Sequence, residues 1–385
     1  MIPYGRQDIT EEDIQSVIDV LKSDFLTQGP QIELFEQKFA QYCGSQYAVA
    51  VASCTAALHL ACMALELKEG DIFWTTPNTF VASANCGLYC GASVDFVDID
   101  PDTWNMSITK LEEKLVQAEK EGKLPKLVIP VHFSGRSCDM KAIKKLAVHY
   151  NFKIIEDAAH CIGASYDNKK VGSCDYSDIA VFSTHPVKII TTGEGGNITT
   201  NNADIYEQLL KLRTHGITKS PEQMIREPIG PWYFEQQHLG YHYRMTDMQA
   251  ALGISQMDRL DTYVAQRIQI AKRYSEKLSH LPLQLPAAEG FDDSSWHLYV
   301  VRLNLSEINV THPQVFNSMR EKGIGVNLHY IPVHTHPYFE QLGFGFGDFP
   351  EAEQYYSEAL TLPLYPKLTE DEQDYICKTL EEILS

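Results

Sequence analysis

Three stretches of this 385-residue chain end an apolar run on residues that can do chemistry. In DIAVFSTHPVKIITTGEGG, Ser183 closes the run. Lys188 follows between Val187 and Ile189, ahead of Gly193, Glu194, Gly195 and Gly196. An amine held among apolar neighbours loses solvation, its pKa falls, and it becomes a nucleophile. The same letters also read as a β-hairpin with a solvated lysine, TTGEGGNITT supplying the turn. In FKIIEDAAHCIGASY, Glu156 and Asp157 end a second run and His160 follows. A carboxylate at a buried strand end is costly unless it meets a cation; a helix cap or an internal ion pair is the plainer alternative. In AVAVASCTAALHLA, a run turns into a helix near Cys54–Thr55. Free N–H groups at such a turn hold phosphate, and a simple N-cap by Ser53 or Thr55 is the alternative.

The combination is more specific than its parts. A lysine, an acid and a phosphate cradle on separate strand ends match pyridoxal phosphate. The amine would form the aldimine, the carboxylate would keep the ring nitrogen protonated, and helix N–H groups with Ser183 would take the phosphate.

Positioning these groups requires a sheet. Apolar runs at 48–53, 93–100, 126–133, 152–157 and 178–183 alternate with helical spacing at 55–67, 107–122 and 139–150. Continuous apolar strands between helices predict a mainly parallel sheet covered on both faces, with ligands beyond the carboxyl ends of its strands. A long helical pattern over 245–278 carries an expected break near Gly253. Beyond it, β-like 297–305, helical 314–323 and VNLHY (326–330) predict a smaller α+β unit. The expected division is 1–255 and 256–385.

Composition narrows the class. Apolar residues at 44% and charged residues at 22% are globular values. With 32 Lys+Arg against 51 Asp+Glu, net charge is −19, which removes the basic footprint of nonspecific nucleic-acid binding. An anionic ligand then needs a locally built site. No apolar run approaches the roughly 20 residues of a membrane span, and MIPYGRQDIT lacks the pattern of a secretory signal. Nine cysteines without a C-x-x-C pair read as reduced thiols, so a cytoplasmic protein without a metal site or membrane partner is expected.

The chain resembles the sugar aminotransferases of the DegT/DnrJ/EryC1/StrS family along nearly its whole length. IPYGRQDITEEDIQSVIDVLKSDFLTQGPQIELFEQKFAQYCG, TTPNTFVASANCGLYCGASVDFVDID, IIEDAAHCIGASY, FSTHPVKIITTGEGG and LGYHYRMTDMQAALG carry the resemblance. It implies the type I, aspartate-aminotransferase fold, pyridoxal phosphate as cofactor, and a homodimer whose active sites borrow partner residues. Lys188 would carry the Schiff base and shuttle the proton. Asp157 would pair with the pyridinium nitrogen, and His160 would stand near the ring and its 3-oxygen. Phe80 would stack on the ring, and Thr55, Ala56 and Ser183 would meet the phosphate. A lysine rather than a histidine at 188 favours transamination, with glutamate as amino donor.

Two positions depart from the family pattern. Ser-Gly-Thr is Ser53-Cys54-Thr55, so residue 54 must avoid backbone conformations reserved for glycine. GYNYRMTD has His242 in place of the asparagine that reaches the partner's phosphate; a histidine can still donate a hydrogen bond.

Within the family, NLHYIPVHTHPYF is most like the enzymes that aminate C4 of a UDP-linked 4-keto-6-deoxy-N-acetylhexosamine on the route to pseudaminic acid. Candidate substrate contacts are Arg213, His215, His329, Tyr330 and His334, with His336 and Tyr338 nearby; packing of the small unit is the alternative role. Tyr330 and Tyr338 are candidates to stack on uracil or sugar. Alternative functions are amination of a GDP-linked 4-keto or a 3-keto sugar, or a catalytically idle regulator that binds pyridoxal phosphate or sugar nucleotide.

Overall fold

The computed structural model describes residues 1–385. Seven strands form the main sheet: β1 (Tyr47–Val51), β2 (Ile72–Thr75), β3 (Ser93–Phe96), β4 (Leu127–Val128), β5 (Lys153–Asp157), β6 (Ile179–Ser183) and β7 (Gly196–Thr200). Their order across the sheet is β1-β7-β6-β5-β4-β2-β3. Only β7 runs against its two neighbours; the other pairs are parallel. The architecture is therefore α/β with a mainly parallel sheet. Val49, Val51, Ile154, Ile155, Ile179 and Val181 are all sealed from solvent, as apolar runs covered on both faces require.

Helices occupy the stretches expected at 55–67, 107–122 and 139–150, and four more stand beside them. They are α1 (Glu11–Leu21), α2 (Pro30–Cys43), α3 (Cys54–Ala64), α4 (Ala82–Leu88), α5 (Ile108–Glu121), α6 (Met140–Tyr150) and α7 (Ala203–Leu212). Caps explain several starts. Ser53, Ser107, Asp139 and Asn202 each accept a first-turn N–H from α3, α5, α6 and α7, and left-handed Gly44 and Gly122 end α2 and α5.

The long pattern after 245 splits into α8 (Asp247–Met257) and α9 (Leu260–Leu278). The break falls at Asp258–Arg259, not at Gly253. Gly253 lies inside α8 for a packing reason: a Cβ there would stand 2.7 Å from the Phe35 ring of α2. A second sheet pairs β8 (Leu283–Gln284), β9 (Tyr299–Leu303) and β10 (Ala359–Leu362), backed by α10 (His312–Glu321) and α12 (Glu370–Leu384), with α11 (Pro350–Glu358) between. VNLHY is not a strand. It makes a single bridge, Asn327 to Thr361, and continues as loop towards the main sheet.

Arg267 of α9 is 1% exposed and has no carboxylate partner. Its Nη1 donates to the carbonyls of Trp296, His297 and Leu364 at 3.1, 3.3 and 3.1 Å. The guanidinium thus ties α9 to the segment leading into β9 and to the one after β10.

Crowding at Gly253 is testable. Gly253→Val should overpack the α2–α8 contact and cost ~1–3 kcal/mol. Thermal melting should show a lower Tm, whereas Gly5→Ala, at an open position with nothing within 4 Å, should melt like the parent.

Candidate active site

β5, β6, β7 and the start of α3 meet at one end of the sheet, where a cavity of about 440 Å³ opens. Its walls include Thr55, Phe80, Asp157, His160, Ser183 and Lys188, brought from four separate parts of the sequence. His329 and Tyr330 enter from the segment beyond the second sheet's β9, and Tyr4 comes from the start of the chain.

Lys188 sits in the loop between β6 and β7, whose register pairs Ser183 with Gly196. TTGEGGNITT is therefore not a hairpin of its own; β7 closes back on β6 across the lysine loop. Both ends of that loop are clasped. Thr184 N donates to Gly195 O at 3.0 Å, and Thr192 N to Thr184 O at 3.0 Å. Thr192 Oγ1 donates to Glu194 O, so the 2.6 Å contact between the two threonine hydroxyls is a donation from Thr184. Desolvation dominates at Lys188 and pulls the amine down to about 8, against the opposing pull of Cys54 and Asp157. At neutral pH a usable fraction of this amine is unprotonated, unlike a surface lysine.

Asp157 ends β5 and is 4% exposed. Ser83 Oγ donates to its Oδ2 at 2.6 Å, and Ala159 N to its Oδ1 at 3.1 Å. Because Ser83 spends its proton on the carboxylate, the 2.8 Å contact between Thr79 and Ser83 must be donated by Thr79. The relay Thr79–Ser83–Asp157 fixes the acid's orientation. Glu156, one residue earlier, faces the other way and accepts from His132 Nε2 at 2.7 Å and from Ser177. Cys138 N donates to His132 Nδ1 at 3.1 Å, which leaves that ring room for only its Nε2 proton. Glu156 is an internal pairing, so only Asp157 serves the cavity.

The N-terminus of α3 forms the third element. Ser53 Oγ accepts from Ala56 N at 3.1 Å, and Ala57 N bonds Ser53 O, leaving the N–H groups of Cys54 and Thr55 without a protein partner. Expected phosphate contact through Ala56 is corrected here: its N–H is spent on the Ser53 cap, and Ala56 does not line the cavity. Cys54 takes a helical backbone with no positive φ, so glycine is not required there. Glycine is required opposite. A Cβ on Gly196 would lie 2.5 Å from Ser53 O and 2.8 Å from Cys54 N. Ser183 Oγ accepts from His185 N at 3.4 Å and keeps its own proton for a ligand.

His160 packs at 4.4 Å between ring centroids on His297 and bonds Ser134 N and Tyr330. Burial and the Lys188 charge hold its pKa well below the ordinary histidine range. Phe80, 60% exposed, stands at the mouth with its ring 6.4 Å from that of Tyr330.

Other expected contacts lie elsewhere. Arg213 is committed to Glu36 and to Ala50 O at 2.8 Å, outside the cavity. His334 is sealed from solvent against Glu353 at 2.9 Å, which makes it a packing residue of the second unit. His215 and His242 are exposed, 5.5 Å apart by ring centroid, and neither lines this chain's cavity. His336 and Tyr338 also lie outside it. His329 does line it, but burial drives its pKa down to about 3 and its Nδ1 meets Thr361 Oγ1 at 2.9 Å, so it offers no charge. Tyr4, Thr79 and Ser83 lie within the segments that carry the resemblance but are not singled out there, and His297 lies outside them; packing brings all four to the site.

The residues present fit pyridoxal phosphate. Two unpartnered helix N–H groups and two hydroxyls suit a phosphate, a buried acid suits a pyridinium nitrogen, and a desolvated amine suits an aldehyde.

Comparison with known proteins agrees. The family model described as the DegT/DnrJ/EryC1/StrS aminotransferase family matches residues 7–381. The chain is 38% identical to the spore coat polysaccharide biosynthesis protein SpsC of Bacillus subtilis, covering 100% of this chain and 97% of that one. It is 36% identical to the UDP-4-amino-4,6-dideoxy-N-acetyl-β-L-altrosamine transaminase of Campylobacter jejuni, covering 100% and 98%. The PLP form of Spr1654 from Streptococcus pneumoniae has a TM-score of 0.87 at 29% identity, covering 100% of each chain. The chain belongs to the DegT/DnrJ/EryC1/StrS aminotransferase family and is a pyridoxal-phosphate-dependent sugar aminotransferase.

Proposed function

We propose that the enzyme moves an amino group from glutamate to C4 of a UDP-linked 4-keto-6-deoxy-N-acetylhexosamine. The observation that carries the chemistry is the shared cavity of a desolvated Lys188, a buried Asp157 and the open start of α3. The 36% relative that is named as a UDP-sugar transaminase, together with the NLHYIPVHTHPYF segment, supports the substrate. The pseudaminic acid route is the corresponding pathway proposal.

Pyridoxal phosphate, when bound, supplies an electron sink that lets a proton leave and return beside the transferred nitrogen. Lys188 Nζ would anchor the group and would be the base that carries that proton; its pKa near 8 suits both directions at neutral pH. Asp157 would hold a positive ring nitrogen through a carboxylate that Ser83 and Ala159 N–H keep in one orientation. Cys54 N–H, Thr55 and Ser183 would hold the phosphate, and Phe80, at the mouth, would cover the ring. His242 and His215 are exposed and do not line this cavity, which supports the proposal that they serve a second copy's site in a homodimer. We also place the enzyme in the cytoplasm and divide it at residues 1–255 and 256–385. No helix is long and apolar enough to cross a membrane.

Lys188→Ala should lower glutamate-dependent turnover by about 10²–10⁴-fold or more, and borohydride should no longer fix the cofactor to the protein. Full turnover in that variant would remove the mechanism. In cofactor-free protein, the deprotonated fraction of Lys188 grows as pH rises through about 8. Reductive methylation followed by mass spectrometry should therefore label it with a midpoint near 8, while surface lysines follow at roughly 10. Side-by-side turnover should favour the UDP-linked 4-keto sugar over GDP-linked 4-keto and 3-keto sugars; equal or reversed rates would move the assignment to another nucleotide sugar. Absence of turnover with every keto sugar would favour the idle regulator.

A further inference from the structure

Backbone hydrogen bonding fixes the direction of a side-chain relay that ends in the cavity. Ser134 N lies 3.2 Å from His160 Nδ1. A backbone N–H only donates, so Nδ1 is an acceptor and carries no proton. The buried imidazole is neutral, and its one proton is therefore on Nε2. Tyr330 Oη lies 3.0 Å from that Nε2, so the ring donates and the phenol oxygen accepts. The phenol's own hydrogen is left over. No other side chain or carbonyl of the protein takes it, and Tyr330 lines the cavity beside Asp157 and Lys188. Its ring is flanked by those of His160, Phe133, Phe80 and His329 at 6.1, 6.2, 6.4 and 5.0 Å.

We propose that Tyr330 donates a hydrogen bond to an oxygen of the bound ligand, and that His160 is the positioning residue that sets this direction rather than a proton carrier. The inference rests on the cavity being the pyridoxal phosphate and keto-sugar site. Burial, with Asp157 and Tyr4 adding to it, raises the phenol's pKa and keeps the donor protonated. His160 has no vacancy for general base work, since one nitrogen accepts from Ser134 and the other donates to Tyr330. The acceptor is an oxygen that is anionic or carbonyl in character. Two sources share that chemistry: the phenolic oxygen of the cofactor and the keto oxygen of the sugar.

The test uses holoenzyme and Tyr330→Phe, which keeps the ring and deletes only the donor. If the cofactor oxygen is the acceptor, loss of the donor should shift the pH midpoint of the resting visible absorbance upward by about one unit, since the bond favours the deprotonated chromophore. Asp157, Lys188, Tyr4, His160, His297 and His329 face the same cavity and stay in place, so the shift reports the phenol. If the sugar oxygen is the acceptor, the midpoint should stay and kcat/KM for the keto sugar should fall roughly 10–100-fold, with the glutamate half-reaction unchanged. His160→Gln retains an amide oxygen for Ser134 N–H and an amide N–H for Tyr330, so it should stay closer to the parent's midpoint and rate than His160→Leu does. His160→Leu should reproduce the Tyr330→Phe change. A Tyr330→Phe enzyme that melts like the parent and matches it in midpoint, kcat and KM overturns the proposal. So does His160→Gln behaving like His160→Leu. A parent protein that shows no visible band with pyridoxal phosphate would instead sink the cofactor reading beneath it.

Discussion

The backbone of β7 passes so close to the start of α3 that no side chain fits between them. A methyl group on Gly196 would overlap Ser53 O and Cys54 N. That contact is the constraint from which the site follows. It keeps the first-turn N–H groups of α3 at the edge of the cavity, and it fixes where the lysine loop must return. The reversed direction of β7 has the same origin. A strand arriving from the carboxyl end of β6 runs back between β6 and β1, and the turn it makes carries Lys188 over the strand ends.

Around this backbone arrangement the polar groups settle into fixed donor and acceptor roles. Asp157 is oriented by a serine that is itself oriented by a threonine. His132 and Glu156 form a separate buried pair on the opposite side of β5. Alternation along β5 sends two adjacent acids in opposite directions, one to packing and one to the site. A buried acid and a buried amine in one hollow would be an expensive pairing in an apolar core. Here hydroxyl and backbone donors lower the cost at the acid, and a depressed pKa lowers it at the amine.

Much of this was legible in the sequence because it is local. β-like runs 48–53, 152–157 and 178–183 and the helices that follow 53, 107 and 139 appear where apolar period and cap residues place them. Asp157, Thr55 and Ser183 were legible for the same reason, since each ends a strand or lies in the first turn of a helix, and Lys188 stood out as a lone lysine between Val187 and Ile189 in the loop that follows β6. What was hidden depends on distant packing. Gly253 looks like a helix breaker and is instead the spot where the Phe35 ring presses on α8. Arg213 looks like a free cation and is occupied by Glu36, far away in sequence. His334 and His329 sit in one histidine-rich run, yet one is sealed against Glu353 and the other reaches the cavity. No local pattern separates them, because VNLHY leaves the second sheet as a loop rather than as the strand its letters suggest.

Arg267 places an unpaired positive charge inside a chain whose net charge is negative. The chain carries a net charge of −19, yet a guanidinium with no counter-ion lies just behind His297, and its field is felt at that ring. Lys188 and Asp157 oppose one another inside the hollow, so Arg267 adds an unbalanced positive contribution from behind the His297 wall, within a negative shell. Low-dielectric walls focus such a potential and sharpen it over short distances. A phosphorylated ligand is then repelled weakly at long range and drawn in only at the mouth. Capture should therefore speed up as added salt screens the outer shell, the reverse of the salt response of an enzyme that steers anions with a basic surface.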